Sequence, residues 1–231
     1  MMKNLFLFYY NFFENYIHLR RIKAFLSRKV ILNDPIIFDV GSHKGKLAKL
    51  MHDIYENAII YCFEPNKSMN DDLKKIGSNI KVYNYALGEK NEEKQILINK
   101  IDLTNTLSTI NENSFYLKIK NFILANSKKD NMYEQTKVIS LENFCKEKKI
   151  RNIDFLKLDV EGYEHNVLLG AKNIIQNVKF VMLEIQKNNM YHDYSKKNIE
   201  EFLKENNFML IKTFKFPFMF FEDRIYKRIQ N

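Results

Sequence analysis

The sequence has 231 residues, of which 45% are hydrophobic and 28% are charged, so it can bury a core and is not intrinsically disordered. The net charge of +9 permits a nucleic acid, an anionic lipid or an anionic substrate as a partner, but the lysines are scattered as on a solvated surface. Cys62 and Cys145 have no CxxC partner, which argues against a zinc site or a disulfide framework and is typical of buried, reduced thiols in a cytoplasmic protein.

The N-terminal segment is aromatic and basic. Its apolar stretch is interrupted by Asn11, lacks a small-residue cleavage site and is too short to span a bilayer. Residues 1–33 are therefore predicted to form one or two amphipathic helices ahead of a domain over residues 34–231. Such a segment either packs on the domain or on a second subunit of a homo-oligomer, or lies peripherally on the anionic inner face of a membrane.

The rest of the chain alternates strands and helices. Strands are predicted at 35–40, 58–65, 80–88, 94–99, 136–140 and 178–186, with a closing pair at 208–216 and 218–228 around Pro217. Residues 153–162 are predicted as a strand and a loop, with Asp159 at the end of the strand. Helices are predicted at 46–55, 69–77, 141–150, 163–176 and 198–207. Residues 100–135 read as polar and irregular, with a weak helix near 115–124, and are expected to lie on the substrate side.

This alternation predicts an α/β fold with a mostly parallel sheet covered by helices on both faces. In such sheets ligands bind beyond the carboxyl ends of the strands. The acidic and glycine-containing motifs of this chain all fall at those ends, so they are expected to meet at one site.

The first motif is DVGSHKG over residues 39–45. A dinucleotide fingerprint would have glycines where this chain has His43 and Lys46, which disfavours an NAD-dependent oxidoreductase, and no GK[ST] follows as in a P-loop. What remains is a tight turn preceded by an acid. Asp39 can order the loop or bind an ammonium, and Gly41 gives space against the backbone, which suits a zwitterion such as S-adenosylmethionine.

The second motif is Glu64, in FEPN at the end of the next strand. A carboxylate there can accept both hydroxyls of a ribose, as the acid of a nucleotide-binding fold does. Alternatively it is an ordinary helix N-terminal acid. Combined with the first loop, it indicates a ligand that contains adenosine.

The third motif is KLDVEGYE over residues 157–164. Lys157 and Asp159 share one face of a strand, and a lysine in so apolar a run is expected to be paired. Asp159 can orient or deprotonate a hydroxyl, or it can hold a divalent cation with Glu161 and Glu164. The alternative for Glu161 and Glu164 is that they cap the following helix.

Taken together, FDVGSHKG, FEPN, NYALG and DFLKLDVEGYEHNVLLGA…VMLEI resemble the FkbM-type methyltransferases from about Ile36 to Ile185. The resemblance implies a class I methyltransferase Rossmann-like fold and O-methylation with S-adenosylmethionine as cofactor. It implies a reaction centre lined by residues 159–164. It implies cofactor contacts from Asp39, Gly41, Ser42, His43, Gly45, Glu64, Pro65, Asn84, Ala86, Leu87 and Asp159. Family members often have Ala-Asn where this chain has Ser42-His43.

A hydroxyl is a poor nucleophile, so a catalytic base is expected. Asp159 is the first candidate and His192, in a polar loop after the next strand, is the second. The family suggests a glycan, a lipid-linked sugar or a similar small molecule as the acceptor. An RNA methyltransferase and a non-catalytic Rossmann-like binding protein remain alternatives, although the chain has no recognisable RNA-binding module.

Overall fold

The computed structural model describes residues 5, 8–9, 12–99, 105–124, 131–216 and 221–229; the predicted turn at Pro217 lies outside them. The strands are β1 (Ile36–Val40), β2 (Ile59–Phe63), β3 (Ile80–Tyr83), β4 (Ala86–Gly88), β5 (Glu92–Asn99), β6 (Asn131–Ser140), β7 (Ile153–Leu158), β8 (Val178–Gln186), β9 (Phe208–Lys215) and β10 (Phe221–Arg228). The helices are α1 (Leu19–Lys29), α2 (Lys46–Ile54), α3 (Asn70–Lys74), α4 (Phe115–Leu124), α5 (Leu141–Lys148), α6 (Glu164–Leu169) and α7 (Lys196–Glu205). A π-helical turn, Glu14–His18, precedes α1.

The main sheet has seven strands in the order β3-β2-β1-β7-β8-β10-β9. The first five are parallel to their neighbours, and β10 runs antiparallel to both β8 and β9. The predicted fold, a parallel sheet with helices and an antiparallel C-terminal hairpin, is confirmed. The carboxyl ends of β1, β2 and β7 lie side by side at one edge of this sheet.

Three predicted elements are clearly shorter than expected, and one of them is the helix predicted at 69–77, which spans Asn70–Lys74. The strand predicted at 80–88 is split, because the Asn84 side chain bonds to Asn70 and to the carbonyl of Glu64, and β4 then joins a second sheet of order β4-β6-β5. The helix predicted at 163–176 stops at Leu169, because the backbone of Gly170 runs against Gly88 and its carbonyl accepts the N–H of Glu142.

Two predicted strands are longer than expected, and the one predicted at 94–99 begins at Glu92. Strand β6 begins at Asn131, so residues 131–135 extend a strand rather than an irregular segment. Its pairing with β5 over eight positions explains the extension, since each strand satisfies the backbone groups of the other. The expected helix at 115–124 is confirmed.

Helix α1 packs on the domain. Ile22 and Leu26 are buried in the same core cluster as Met182 of β8, Phe214 of β9 and Ile225 of β10. The N-terminal segment therefore covers one face of the main sheet. Among the described residues, no helix combines the length and apolar character that a membrane crossing requires.

Candidate functional site

A cavity of about 460 Å³ opens at the carboxyl edge of the main sheet. Its wall includes the loop after β1, the end of β2, the loop after β7 and residues of β8 and β10. Glu14 and His18 of the N-terminal segment also line the cavity. The volume is that of a site for one small molecule.

The loop after β1 is held by backbone contacts. The N–H groups of Gly41 and Ser42 both donate to the carbonyl of Phe63, at 3.0 and 3.2 Å, and the Ser42 hydroxyl donates to the carbonyl of Asp39 at 2.6 Å. Gly41 has φ +75°, and a Cβ there would lie 1.8 Å from the carbonyl oxygen of Asp159. The glycine is thus required by the close approach of the β1 and β7 loops.

Glu64 clamps the same loop from the end of β2. Its Oε2 accepts the N–H of His43 and its Oε1 accepts the N–H of Asn66, both at 2.9 Å. Burial raises the pKa of Glu64. The two hydrogen bonds act in the opposite direction, because they favour the charged carboxylate, but their effect is smaller. Each carboxylate oxygen has a second lone pair, so Glu64 can hold the loop and still accept a ligand hydroxyl.

The other expected cofactor residues divide into two groups. His43, Pro65, Ala86 and Leu87 line the cavity, whereas Asn84 does not. The Asn84 amide instead donates to the carbonyl of Glu64 at 3.2 Å, which places it behind the wall.

Gly45 is also behind the wall. It has φ +74° at the start of α2, and a Cβ there would meet the Leu73 and Ile76 side chains. The glycine therefore lets α2 begin close against the segment that contains α3, which fixes where the loop after β1 ends.

Lys157 joins the two loops from below. Its Nζ lies 3.1 Å from Asp39 Oδ1 and 3.3 Å from Asp159 Oδ2, and donates to the carbonyl of Gly41 at 2.9 Å. The expected pairing of this lysine is confirmed. Burial opposes its charge, but the two carboxylates outweigh this effect and raise the pKa of Lys157. Burial likewise raises the pKa of Asp39, although Lys157 acts in the opposite direction.

Glu164 caps the loop that follows β7. Its Oε1 accepts the N–H groups of Val160 and Gly162, at 3.1 and 3.2 Å. Burial raises the pKa of Glu164 to about 8 despite these bonds. Glu164 thus holds the loop that precedes α6 rather than capping the helix, whose N-cap is Tyr163 without a side-chain bond.

Glu161 lies in the same loop and lines the cavity. Its backbone has φ +52°, and its Oε2 accepts the Tyr191 hydroxyl at 2.5 Å. The part of the chain that the structure describes contains no group of three or more His, Cys, Asp or Glu residues placed to hold a metal ion. The cation site considered for Asp159, Glu161 and Glu164 therefore gains no support.

His192 stands apart from the other candidates. It is exposed, it is not among the residues of the cavity wall, and its N–H donates to the carbonyl of Thr109 at 3.0 Å. The structure does not bring it to Asp159, the other candidate base.

The sequence analysis did not single out several polar residues of the wall, among them His18, Glu184 and Asp223. His18 Nε2 lies 2.5 Å from Asp223 Oδ2. Glu184 interrupts an apolar strand at its carboxyl end, which is a signal that sequence reasoning could have used. His18 carries no such signal, because nothing local to residue 18 indicates that it meets residue 223.

Comparison with known proteins gives the context of this site. The family model described as "Methyltransferase FkbM domain" matches residues 39–210. The 2-O-methyltransferase NoeI of Sinorhizobium fredii is 21% identical over 173 residues, which cover 68% of this chain and 66% of that protein. The hexuronic acid methyltransferase AglP of Haloferax volcanii is 25% identical over 156 residues, which cover 66% of this chain and 56% of that protein.

Solved structures support the fold. A crystal structure of methyltransferase FkbM from Methylobacillus flagellatus aligns with a TM-score of 0.53 at 16% identity, over 87% of this chain and 46% of that one. Magnesium protoporphyrin IX methyltransferase from Synechocystis, with bound SAM, aligns with a TM-score of 0.51 at 11% identity, over 91% and 78% of the two chains. Both likenesses concern the fold alone.

Proposed function

The chain belongs to the methyltransferase FkbM domain family, and on that basis we propose that it transfers a methyl group from S-adenosylmethionine to a hydroxyl of a glycan, a lipid-linked sugar or a similar small molecule. The observation that carries the proposal is one cavity bordered by the β1 loop and Glu64 on one side and by carboxylates on the other. Of the two curated relatives, AglP is named a hexuronic acid methyltransferase and NoeI a 2-O-methyltransferase. The alignment covers 56% of the length of AglP and 66% of the length of NoeI.

The cofactor half fits S-adenosylmethionine. The carboxylate of Glu64 suits the ribose hydroxyls, and apolar Ala86 and Leu87 suit the adenine. Asp159 lines the cavity near the first loop, and its carboxylate suits the ammonium of a methionine tail. Asp39, by contrast, is buried, is not among the residues of the cavity wall and holds Lys157 from behind. When bound, the cofactor supplies a methyl group on a positively charged sulfur. The chain then has to align an acceptor oxygen with that methyl group, and such orientation contributes about 7–11 kcal/mol.

The acceptor half favours a neutral, hydroxyl-rich molecule. Asp159, Glu161, Glu184 and Asp223 all line it, and carboxylates accept hydrogen bonds from sugar hydroxyls. The same negative charge repels a polyanionic phosphodiester chain, which argues against the RNA alternative. Phe216 and Phe221, whose rings stack at 4.9 Å, add an apolar wall.

The test is methyl transfer with labelled S-adenosylmethionine and a panel of acceptors: neutral oligosaccharides, lipid-linked sugars, uronic acids and tRNA. Label in a neutral sugar is the expected result. Label in tRNA alone would support the RNA alternative, and calorimetry that detects no binding of S-adenosylmethionine would support a non-catalytic protein.

Peripheral contact with an anionic membrane is a second part of the proposal. Five exposed side chains follow helical spacing on the outer side of the N-terminal segment: Leu5, Phe8, Tyr9, Phe12 and Tyr16. The Arg20 guanidinium lies 5.4 Å from the Tyr16 ring centroid. Aromatic side chains beside basic ones are typical of helices that lie in a membrane interface, and this would bring a lipid-linked acceptor close to the cavity.

Flotation with vesicles of phosphatidylcholine, with and without phosphatidylglycerol, tests this contact. The double variant Phe8→Ser/Phe12→Ser should lose binding to anionic vesicles. Phe122→Ser, a matched change at a side chain on α4 that is 75% exposed, should retain it. Equal flotation of both variants would refute membrane contact through this surface.

A further inference from the structure

Three carboxylates form a row across the sheet at the cavity. Asp223 of β10 pairs directly with Glu184 of β8, and Leu158 of β7 pairs with Leu183 of β8. Because β7 and β8 are parallel, the residues that follow this pair, Asp159 and Glu184, are also level with each other. Residues that are level in adjacent strands point to the same side of the sheet, and all three line the cavity.

The two ends of the row each have a basic side chain as a partner, and the middle has none. Asp159 lies beside Lys157 at 3.3 Å, and Asp223 lies beside His18 at 2.5 Å. Glu184 Oε1 accepts the Gln186 amide at 2.5 Å. Among the described residues, no lysine, arginine or histidine forms an ion pair with Glu184. It is therefore the carboxylate of the row that can take up a proton without giving up an ion pair.

A second observation indicates that this wall is completed by a ligand. The His18 side chain is 4% exposed, and its Nδ1 has no hydrogen-bond partner within the described part of the chain. A buried polar atom without a partner is uncommon in a folded protein. His18 is part of the same cavity wall as Glu184 and Asp223. This wall therefore has a polar atom, His18 Nδ1, that a ligand could bind by a hydrogen bond.

We infer that Glu184 is the catalytic base that removes the proton from the acceptor hydroxyl, with Asp159 and Asp223 as positioning residues on either side. The inference rests on the proposed function. The oxygen–hydrogen bond breaks as the proton passes to a Glu184 oxygen, and the acceptor oxygen forms a bond to the methyl carbon. The carbon–sulfur bond breaks with its electron pair left on sulfur, and Glu184 later releases the proton to solvent.

The electrostatics of the row support this role. Burial, and then the charges of Asp159, Glu161 and Asp223, raise the pKa of Glu184 well above its usual value. The charge of Glu164 raises the pKa of Glu184 further. Tyr116, Tyr191 and Tyr194 also interact electrostatically with Glu184. A carboxylate whose pKa approaches the working pH is a more effective base than an ordinary one.

The decisive comparison is between Glu184→Gln, Asp223→Asn and Glu201→Gln, an exposed control on α7. Glu184→Gln should lower kcat by about 10²- to 10⁴-fold, leave the affinity for S-adenosylhomocysteine unchanged and abolish the acidic limb of the pH–rate profile. Asp223→Asn removes a neighbouring negative charge, so that limb should move to lower pH. Glu201→Gln should behave as the wild type does.

An acceptor-free measurement separates this inference from the proposed function. In the protein labelled with ¹³C at its glutamate carboxyls, nuclear magnetic resonance should detect two carboxyls that titrate well above the others, Glu164 and Glu184. The Glu184 signal is the one that disappears in Glu184→Gln and shifts downward in Asp223→Asn, whereas the Glu164 signal remains in Glu184→Gln. Wild-type turnover in Glu184→Gln, or an ordinary titration of Glu184, overturns the inference. Absence of methyl transfer by the wild type refutes the proposed function, and the titration still decides the state of Glu184.

Discussion

Lys157 Nζ lies 3.3 Å from Asp159 Oδ2, although the lysine side chain is 9% exposed and the aspartate side chain is 37% exposed. The pair reaches from the core of the sheet to the cavity surface. The same ammonium also holds buried Asp39, so one cation fixes the geometry of both loops. Asp159 is therefore held in a fixed orientation at the cavity surface.

Replacing Lys157 by Met should destabilise the fold by about 3–5 kcal/mol, because buried Asp39 would lose its cation. Urea denaturation followed by circular dichroism measures this loss. The control is Lys49→Met, which breaks an exposed pair with Asp53 and should change stability by about 0–1 kcal/mol. Equal effects of the two changes would show that the Lys157 pairs contribute no more than a surface pair.

Gly41→Ala should weaken S-adenosylmethionine binding at least about tenfold, a loss of about 1.4 kcal/mol. The added Cβ would lie 1.8 Å from the Asp159 carbonyl oxygen, so the two loops would have to separate. Isothermal titration calorimetry measures the change. Gly77→Ala is the matched control, since its new Cβ would meet only the His52 side chain, and unaltered binding in both variants would contradict the prediction.

Glu164→Gln should flatten the dependence of stability on pH. The native pKa of about 8 lies above the ordinary value of 4.5, so the protonated form is stabilised by folding. This contribution is complete below about pH 4.5 and is lost as the pH rises through about 8. The amide stays neutral and its oxygen can still accept the two N–H groups. Urea midpoints between pH 4 and about 9 should fall less in Glu164→Gln than in the wild type.

Glu164→Ala provides the contrast for that series. Without an acceptor for the Val160 and Gly162 N–H groups, it should lose about 1–3 kcal/mol at every pH. Parallel midpoint curves for the wild type and Glu164→Gln would mean that Glu164 does not titrate in this range.

Glu64→Gln should raise the dissociation constant for S-adenosylmethionine by about tenfold or more. An amide offers one acceptor oxygen, so its NH₂ group would face the N–H of either His43 or Asn66. Glu56→Gln, a change at an exposed site away from the cavity, should bind as the wild type does. Calorimetric titration distinguishes the two, and wild-type affinity in Glu64→Gln would remove this residue from the cofactor site.

The sequence predicts the main sheet well because its signals are local. An apolar strand followed by Gly41 or Glu64 indicates a strand end, and the carboxyl ends of parallel strands converge whatever the details of the loops. The break between β3 and β4 at Asn84 is harder to predict from the sequence, because it depends on a hydrogen bond to Asn70, which lies on another element.

The acceptor half is harder to predict for the same physical reason. Glu184 and Asp223 become neighbours only through the register of an antiparallel pair, and His18 reaches Asp223 only because α1 packs across the sheet. None of these relationships has a local pattern. His192, by contrast, has the right chemistry for a base in sequence, but its loop leaves it exposed and away from the cavity.

The contact between His18 and Asp223 joins residues 205 positions apart. During synthesis on the ribosome, the β1 loop and Glu64 emerge long before Asp223 does. A nascent chain can therefore complete most of the cofactor half while the acceptor half is still open on one side. The acceptor half is complete only after β10 has been added, so the order of translation delays its assembly until β10 has paired with β8.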